Sequence, residues 1–462
     1  MSRNTKPQIV EDPACASRKE RTSTPRRSFD RAYETRSSGL IGYAGAACSN
    51  LTPKLSRRFP LPKPVATGLQ LTALDPAFRE NPYPILKDLR ERDPVHNDTE
   101  LNRWVYTRHQ DVNEILRNPD LLSDPRKARP GTFSREFLSD DDREPSMLLM
   151  DDPGHRRLRE LVRHPFKPHA VEAWRPRVRA VAERVIGQIN ENEFDVVAHI
   201  ANSIPTVVIA ELLGLDASCH GEFRQWSEDL ASVGFSPVNT EEQVKIAEKA
   251  SASLDALFRT EVQNRRDQPA DDLISEMVRA EESGDRLTED EIVSQCKLLL
   301  LAGNLTTSDL IGNGIMALLQ HPAELAKLRE NPELMTNAVE EVLRYESPVV
   351  NSGRVAHMDI EIAGHKVLAG DSLSVSLAAA NRDPAVHPDP DRFDIERKNI
   401  QLQSFGGGRH FCLGAHLARL EAAETFSVLL ERFPDLSISG KGHRYAINPS
   451  FRGFAELWVS AR

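Results

Sequence analysis

The stretch of sequence that decides the fold is Phe405-Gly-Gly-Gly-Arg-His-Phe-Cys-Leu-Gly414, and an apolar helical pattern with Leu417 and Leu420 follows it directly. Three consecutive glycines let the backbone take positive φ values and lie close against a flat partner. Cys412 would stand at the N-terminus of the helix, where free N–H groups and the helix dipole favour a thiolate. Because a buried thiolate beneath a closely packed loop suits the axial position of an iron porphyrin, the stretch predicts a haem iron bound to Cys412.

Other kinds of glycine-rich or cysteine site fit this stretch less well. A phosphate-binding loop would continue with Gly-Lys-Ser/Thr, and a dinucleotide fingerprint would need glycine at position 411, where phenylalanine stands. Zinc could be held by His410, Cys412 and His416, but the sequence offers no second Cys/His cluster to complete the site. A reactive catalytic thiol paired with His410 stays open as an alternative.

The composition excludes several classes of protein. The chain has 462 residues, of which 39% are apolar, 28% charged and 6% aromatic, as in an ordinary globular protein. A formal net charge of −10 argues against nucleic-acid binding, and no apolar run approaches the ~18–20 residues that cross a bilayer. The five cysteines are widely spaced and form no Cys-x-x-Cys pair, so we expect a cytoplasmic protein without a disulfide framework.

The chain divides into a basic leader and one large domain. Residues 1–60 contain twelve Lys and Arg against five Asp and Glu. They lack amphipathic periodicity, so we predict a disordered N-terminal extension. Residues 61–462 show no composition break and are predicted to form a single domain, mainly α with a minor antiparallel β part.

Two segments of the domain carry clear structural signals. Thr288 and Glu291 form a capping-box pattern that opens a predicted helix of ~30 residues ending near Gln320. The middle of this helix is apolar all round, so we expect it to cross the core. Short alternating runs between Arg354 and Ser376 predict a small antiparallel sheet.

The glycine-rich stretch resembles the signature of the cytochrome P450 family, Phe-Gly-x-Gly-x-His-x-Cys-x-Gly. Every fixed position is matched, by Phe405, Gly406, Gly408, His410, Cys412 and Gly414. The resemblance covers about residues 66–462 and is to the soluble bacterial branch. It implies the P450 fold, haem b as cofactor, Cys412 as the iron ligand and the other signature residues as haem contacts.

The resemblance implies further residues that support the haem. Glu341 and Arg344 match the Glu-x-x-Arg of the helix behind the haem, where positions i and i+3 share a face. Arg392 matches the third member of that structural triad. The two haem propionates need cations or hydrogen-bond donors, and the family's groups of this kind are matched by His155, Arg159, Arg354 and His410.

The segment Ala302-Gly-Asn-Leu-Thr-Thr307 resembles the family's oxygen-activating segment in the long central helix. Ala302 and Gly303 are small, which lets the helix pass close over the haem. Thr306 matches the family threonine that helps to deliver protons.

This segment also departs from the family pattern. Leu305 stands where the family usually has Asp or Glu, and leucine cannot relay a proton. We expect water held by Asn304, Thr306 and Thr307 to carry the proton instead. Asp309, one turn along the helix, is an alternative relay, and poor coupling of oxygen to product is another.

The function implied by the resemblance is that of a haem-thiolate monooxygenase, which inserts one atom of O2 into a lipophilic small molecule of the terpenoid, steroid, fatty acid or polyketide class. Electrons are expected from a ferredoxin and its reductase, because no flavin or nicotinamide domain follows the cysteine motif. Arg409, Arg419 and the basic run 156–163 are candidates for the docking face. A haem-thiolate sensor or carrier, or a peroxide-driven variant, is the alternative to which Leu305 points.

Overall fold

The computed structural model describes residues 64–136, 146–216, 220–234, 240–280 and 287–461, and within them the chain is mainly helical, as predicted. The predicted N-terminal extension lies outside the described residues and stays a prediction. The helices in chain order are α1 (Pro76–Glu80), α2 (Tyr83–Arg92), α3 (His109–Arg117), α4 (Phe133–Glu136), α5 (Gly154–Val162), α6 (Pro168–Ala173), α7 (Arg175–Gly187), α8 (Ser203–Leu213), α9 (His220–Gly234), α10 (Glu241–Asp267), α11 (Leu273–Ala280), α12 (Glu289–Gln320), α13 (Pro322–Glu330), α14 (Met335–Tyr345), α15 (Leu377–Asn381) and α16 (Ala415–Arg432).

The long central helix α12 has the predicted bounds. It begins after Thr288, whose hydroxyl accepts a hydrogen bond from the Glu291 N–H at 3.2 Å, while the Glu291 carboxylate accepts one from the Thr288 N–H at 2.9 Å. Its second half, from Thr307 to Leu318, is buried and contributes to the largest apolar cluster of the described residues. The middle is buried there only in part, because Ala302 is exposed and Leu301 and Gly303 are half-buried. A Cβ at Gly314 would collide with the Phe426 ring of α16, so glycine here lets α12 and α16 pack closely.

The β part consists of three small sheets within the described residues. The strands are β1 (Val95–Asp98), β2 (Arg103–Tyr106), β3 (Leu121–Leu122), β4 (Glu193–Asp195), β5 (Asn351–Ala356), β6 (Ile360–Ile362), β7 (His365–Val367), β8 (Ser372–Ser376), β9 (Ser437–Tyr445) and β10 (Phe454–Ser460). The sheet orders are β1-β2-β8-β5-β3, β4-β10-β9 and β6-β7. The expectation of purely antiparallel pairing is wrong at one place, because β2 and β8 are parallel. Parallel strands need a long connection, and the register partners Trp104 and Leu373 lie 269 positions apart, with much of the helical part of the chain between them.

A buried ion cluster lies between α14 and the segment that leads to the cysteine loop. The Arg344 guanidinium donates to both oxygens of the Glu341 carboxylate, at 2.7 and 2.8 Å, and both side chains are fully buried. Arg344 also donates to the backbone carbonyls of Asn381, Pro390 and Arg392. The pair predicted from the Glu-x-x-Arg pattern therefore ties helix α14 to the chain that approaches the cysteine.

The third member of this cluster is not the predicted one. The Arg392 side chain is 61% exposed and pairs with Asp394 at 3.5 Å. Arg397 instead donates from Nε to both Glu341 oxygens, at 3.1 and 3.2 Å. The prediction for Arg392 is wrong because its backbone carbonyl, rather than its side chain, faces the cluster.

We expect Arg397→Ala to lower the free energy of unfolding by roughly 3 kcal/mol, since it leaves part of a buried carboxylate without its partner. The matched control Arg392→Ala removes an exposed arginine and should change stability by less than about 0.5 kcal/mol. Urea denaturation midpoints of the two purified variants check this difference. Equal losses in the two variants would contradict the assignment of Arg397.

Candidate active site

A cavity of about 420 Å³ lies between α12, β5 and the loop that carries Cys412. Most of the residues expected around a haem line it: His155, Arg159, Ala302, Gly303, Thr306, Thr307, Arg354, Phe405, Gly406, His410, Cys412 and Gly414. Two of the predicted site residues, Asn304 and Gly408, are not among the lining residues within the described parts of the chain. The sequence motifs thus converge on one place in the fold.

Cys412 sits where the glycine-rich loop turns into α16. Its N–H donates to the Phe405 carbonyl at 2.9 Å, which closes the loop beneath the cavity. Burial raises the pKa of the Cys412 thiol, whereas the Gly414 N–H and the guanidinium groups of Arg159 and Arg419 act to lower it. A bound metal cation would complete the stabilisation of a thiolate at this position.

The glycines of the loop have different functions. Gly406 and Gly408 both have positive φ, +67° and +64°, a conformation that favours glycine. A Cβ at Gly408 would lie 2.5 Å from the backbone oxygen of Leu116 in α3. We expected Gly408 to contact the cofactor; its structural position corrects this, because it lets the loop pack on α3 from outside the cavity.

Two histidines stack at one edge of the cavity. The rings of His155 and His410 lie 4.1 Å apart between centroids, at an interplanar angle of 32°. The His410 Nε2 atom is buried and has no hydrogen-bond partner among the described residues, and it makes none to Cys412, so the alternative of a Cys–His catalytic pair is not formed. Burial, with the nearby His155 and arginines, lowers the pKa of His410 to about 3, so the ring is neutral and one nitrogen can donate.

Two arginines face the same edge without a carboxylate partner in the described structure. Arg354 is buried and donates only to the Ser352 hydroxyl and the Gly353 carbonyl, at 3.1 and 2.7 Å. Burial lowers the pKa of Arg354 to about 10, so it keeps its charge at neutral pH. Arg159 donates to the Phe411 carbonyl at 2.6 Å. A buried cation such as Arg354 is normally paired, and with the half-buried Arg159 beside the same cavity it is suited to a ligand that brings its own carboxylates.

The opposite wall of the cavity is the middle of α12. Ala302 and Gly303 leave space there, and a Cβ at Gly303 would make only ordinary contacts with Ile209, so packing alone does not demand glycine. The Thr306 hydroxyl donates to the Ala302 carbonyl at 2.8 Å, the local bond that a threonine inside a helix often makes. Thr307 is buried and also lines the cavity.

The three residues proposed to replace the missing acid are not equally placed. Asn304 is buried away from the cavity, and its side-chain oxygen accepts a hydrogen bond from Ser308 at 3.3 Å. The expectation that Asn304 holds cavity water is therefore corrected. Asp309 is also buried outside the cavity lining, with its carboxylate against Gly453. Thr306 and Thr307 remain the polar groups of α12 that line the cavity.

The rest of the cavity wall is largely aliphatic. It comes from the described ends of the 123–152 segment, from α12, from β5 and its approach, and from the turn 449–451. From α8, Ile209 lines the cavity. Residues 201–206, which precede Ile209 in the chain, are not among the lining residues.

Two residues near the site were missed in the sequence. Arg397 follows Phe393 by four positions, and only the folded turn shows that it, rather than Arg392, reaches Glu341. Glu421, on α16, lines the cavity although its helical neighbours Leu417 and Leu420 are apolar core residues. A single acidic residue on the apolar face of a helix was the available signal.

Residues 102–445 match the model of the family described as "Cytochrome P450". The chain belongs to the cytochrome P450 family. This P450 is 36% identical over 402 residues to the polyketide biosynthesis cytochrome P450 PksS of Bacillus subtilis (strain 168), an alignment that covers 83% of this chain and 96% of the relative. It is 37% identical over 369 residues to the vitamin D(3) 25-hydroxylase of Pseudonocardia autotrophica, covering 78% and 89% of the two chains.

A solved structure shows the same fold. The myxobacterial cytochrome P450 CYP267B1, crystallised with myristic acid, superposes with a TM-score of 0.78 at 39% identity and covers 84% of this chain and 98% of its own. With its family and its relatives, the chain is a P450 monooxygenase, an oxidoreductase that uses haem iron. None of the described helices has the length and apolar character needed to cross a bilayer.

The residues of this P450 fit a haem. Cys412 presents its sulfur to the cavity, and the unpartnered His410 Nε2 and the unpaired Arg354 offer donors to carboxylates. Arg159 and His155 stand beside them. Ala302 and Gly303 of α12 would lie on one face of the macrocycle, and Phe405 and Gly406 of the loop on the other.

We expect Gly408→Ala to reduce haem retention strongly, because the new Cβ meets the Leu116 carbonyl and positive φ adds about 1–2 kcal/mol of strain. The control Gly407→Ala changes the neighbouring residue, which has extended backbone and whose Cβ would lie 3.0 Å from the flexible end of Arg117 and 3.2 Å from the Leu116 Cβ, so that only small side-chain shifts are needed. The ratio of haem absorbance to protein absorbance after gel filtration measures retention. Equal retention in the two variants would contradict the close-packing role of Gly408.

Proposed function

We propose that this P450 uses haem b to insert one atom of O2 into an apolar small molecule of the terpenoid, steroid, fatty acid or polyketide class. The balanced reaction takes substrate, O2, two electrons and two protons to oxygenated product and water. The bound haem supplies the activation of O2 through its thiolate ligand. The observation that carries the proposal is the aliphatic wall facing Cys412 across one cavity.

The cavity lining supports an apolar substrate. Its cations lie together at one edge, where they are suited to the haem carboxylates, and Arg103 is already paired with the buried Asp98 at 2.9 Å. The remaining wall offers Leu298, Leu301, Val349 and Phe451 to the substrate. Burial of such surface contributes about 25 cal/mol per Å². The names of two relatives refer to polyketide biosynthesis and to vitamin D(3), and the structural neighbour CYP267B1 was crystallised with myristic acid. All three compounds fall within this class.

The chain's own residues position the protons. Because the Thr306 hydroxyl donates to the Ala302 carbonyl, its oxygen lone pairs are left to accept a hydrogen bond from water in the cavity. Thr307 adds a second hydroxyl on the same wall. We propose that these two hydroxyls order the water that delivers protons during oxygen activation.

We propose a ferredoxin, fed by a ferredoxin reductase, as the electron donor. Arg156, which is 73% exposed, and Arg409 both pair with Asp152 at the outer side of the cysteine loop, at 3.1 and 3.6 Å. This basic group supports docking of an acidic partner close to the haem. Arg419 does not belong to it, because its guanidinium pairs with Glu340 and lies 4.4 Å over the Phe405 ring.

We propose that the single domain 61–462 carries this activity and works in the cytoplasm. The thiols of Cys296 and Cys412 are both free, as suits a reducing compartment.

An optical titration of the ferric protein with a panel of apolar compounds tests the function. The wild-type protein should show a thiolate-type haem spectrum that disappears in Cys412→Ala. A spin-state shift caused by compounds of one chemical class would identify the substrate class. Such a compound, incubated with ¹⁸O2, ferredoxin, reductase and reductant, should then give product with one ¹⁸O atom. A compound that shifts the spectrum but stays unoxidised would favour a haem sensor or carrier, and product formed only with added peroxide would favour the peroxide-driven variant.

We expect Thr306→Ala to release more hydrogen peroxide and to form less product per electron, by roughly tenfold or more, as for the loss of a group that moves protons. Ser308→Ala is a matched control, because Ser308 makes the same local bond, to the Asn304 carbonyl at 2.9 Å, but lies outside the cavity lining. The measurement is the ratio of product to peroxide per reductant consumed. An unchanged ratio in Thr306→Ala would remove Thr306 from the relay.

A further inference from the structure

One cation of the cavity wall has no function in the scheme above. Arg103, at the start of β2, lines the same cavity as Cys412 and Thr306. Its side chain is 3% exposed, so the guanidinium group is almost fully buried. Neither the groups that suit the haem carboxylates nor the hydroxyls that order water include it.

The charge of Arg103 is balanced by one carboxylate. Its Nε atom donates to Oδ2 of Asp98 at 2.9 Å. The other oxygen, Oδ1, accepts hydrogen bonds from the Thr67 hydroxyl at 3.1 Å and from the N–H groups of Gly68 and Leu101 at 3.1 and 3.2 Å. Both oxygens of Asp98 are therefore occupied, and the buried pair has no net charge.

Most donors of this guanidinium are unused. An arginine side chain carries five N–H groups, and the side chain of Arg103 makes one hydrogen bond to the described residues, the one from Nε to Asp98. Its Cζ atom lies 4.6 Å from the centroid of the Phe133 ring, which also lines the cavity. A ring face attracts a cation but offers no acceptor oxygen. Because buried donors without an acceptor cost stability, Nη1 and Nη2 call for an acceptor in the cavity.

Arg103 is electrostatically separate from the edge that suits the haem carboxylates. At that edge, burial and then the nearby His155 and Arg354 lower the pKa of His410. Burial also lowers the pKa of Arg103, but the charge that acts on it among the described residues is that of Asp98. Neither His155 nor Arg354 contributes there. The unused donors of Arg103 are therefore left for a ligand other than the haem.

The pair with Asp98 decides which ligand atom fits. A carboxylate would add a second anion to a buried site in which the one cation is already balanced, and a buried charge without compensation is costly. The oxygen of a ketone, ester, amide or alcohol accepts the same N–H groups and adds no charge. The site therefore favours a neutral acceptor oxygen over a carboxylate.

We propose that Arg103 is a specificity-determining residue that binds a neutral carbonyl or hydroxyl oxygen of the substrate, away from the carbon that is oxidised. The inference rests on the proposed function and narrows it: oxygen-bearing polyketides, steroids and terpenoids fit, whereas a free fatty acid does not. Asp98 holds the guanidinium and is a positioning residue. A site built to hydrogen-bond an oxygen rejects an analogue without it, because its own donors are then left unpaired.

The test uses probes that bind the haem iron and need no turnover. N-alkylimidazoles ligate ferric haem through the imidazole nitrogen, which shifts the absorbance bands of the holoenzyme. Three series cover the same range of chain lengths, and their chains end in a methyl group, a methyl ketone or a carboxylate. At some chain length we expect the ketone to bind tighter than the methyl-ended probe by roughly tenfold or more, as for a hydrogen bond to a charged donor. The ketone should also bind tighter than the carboxylate.

Variants assign this advantage to Arg103. In Arg103→Lys the compact ammonium stays opposite Asp98 but lacks the guanidinium fork, so most of the advantage should be lost. The double variant Arg103→Met with Asp98→Asn removes both charges and leaves no buried carboxylate unpaired, and it should lose the advantage completely. The matched control is Arg382→Lys. Arg382 is also 5% exposed and also lies over an aromatic ring, that of Tyr83 at 3.7 Å, but outside the cavity lining, so the advantage should stay within twofold of wild type.

Several outcomes would overturn the proposal. Loss of haem from Arg103→Lys but not from Arg382→Lys, measured as the ratio of haem to protein absorbance, would assign Arg103 to the haem carboxylates. A ketone with no advantage at any chain length, tighter binding of the carboxylate, or an advantage that survives in both Arg103 variants would each contradict it as well. The proposed function can fail separately, because these binding constants need neither O2 nor an electron donor and remain measurable in a protein that forms no product.

Discussion

The cysteine loop depends on one buried carboxylate. Glu341 binds the guanidinium groups of Arg344 and Arg397. Arg344 also donates hydrogen bonds to three backbone carbonyls between Asn381 and Arg392. Asn381 in turn donates to Ser404, next to the glycine-rich loop. Because each of these groups is buried, losing one partner leaves the others unpaired. The position of Cys412 is thus fixed by a polar network that begins some 70 residues earlier in the chain.

The polar groups of the cavity are divided by charge. At one edge, Arg354 and Arg159 are cations without carboxylates, and the His410 ring keeps an unused nitrogen. On the α16 side, Glu421 is a carboxyl without a cation. Placed together, these groups would form ion pairs and satisfy one another. Because they do not pair, the cations are left to a carboxylate-bearing ligand, and burial raises the pKa of the Glu421 carboxyl to about 8.

Local patterns predicted the parts of this structure that local interactions determine. The capping box at Thr288 gave the start of α12, and the glycine-rich signature located the cysteine loop and most of the cavity residues. Sequence could not distinguish Arg392 from Arg397, since both follow the same turn and only tertiary packing decides which side chain enters the cluster. It misplaced Asn304 because the rotation of α12 about its axis is set by its neighbours. The parallel pairing of β2 with β8 likewise joins strands far apart in sequence.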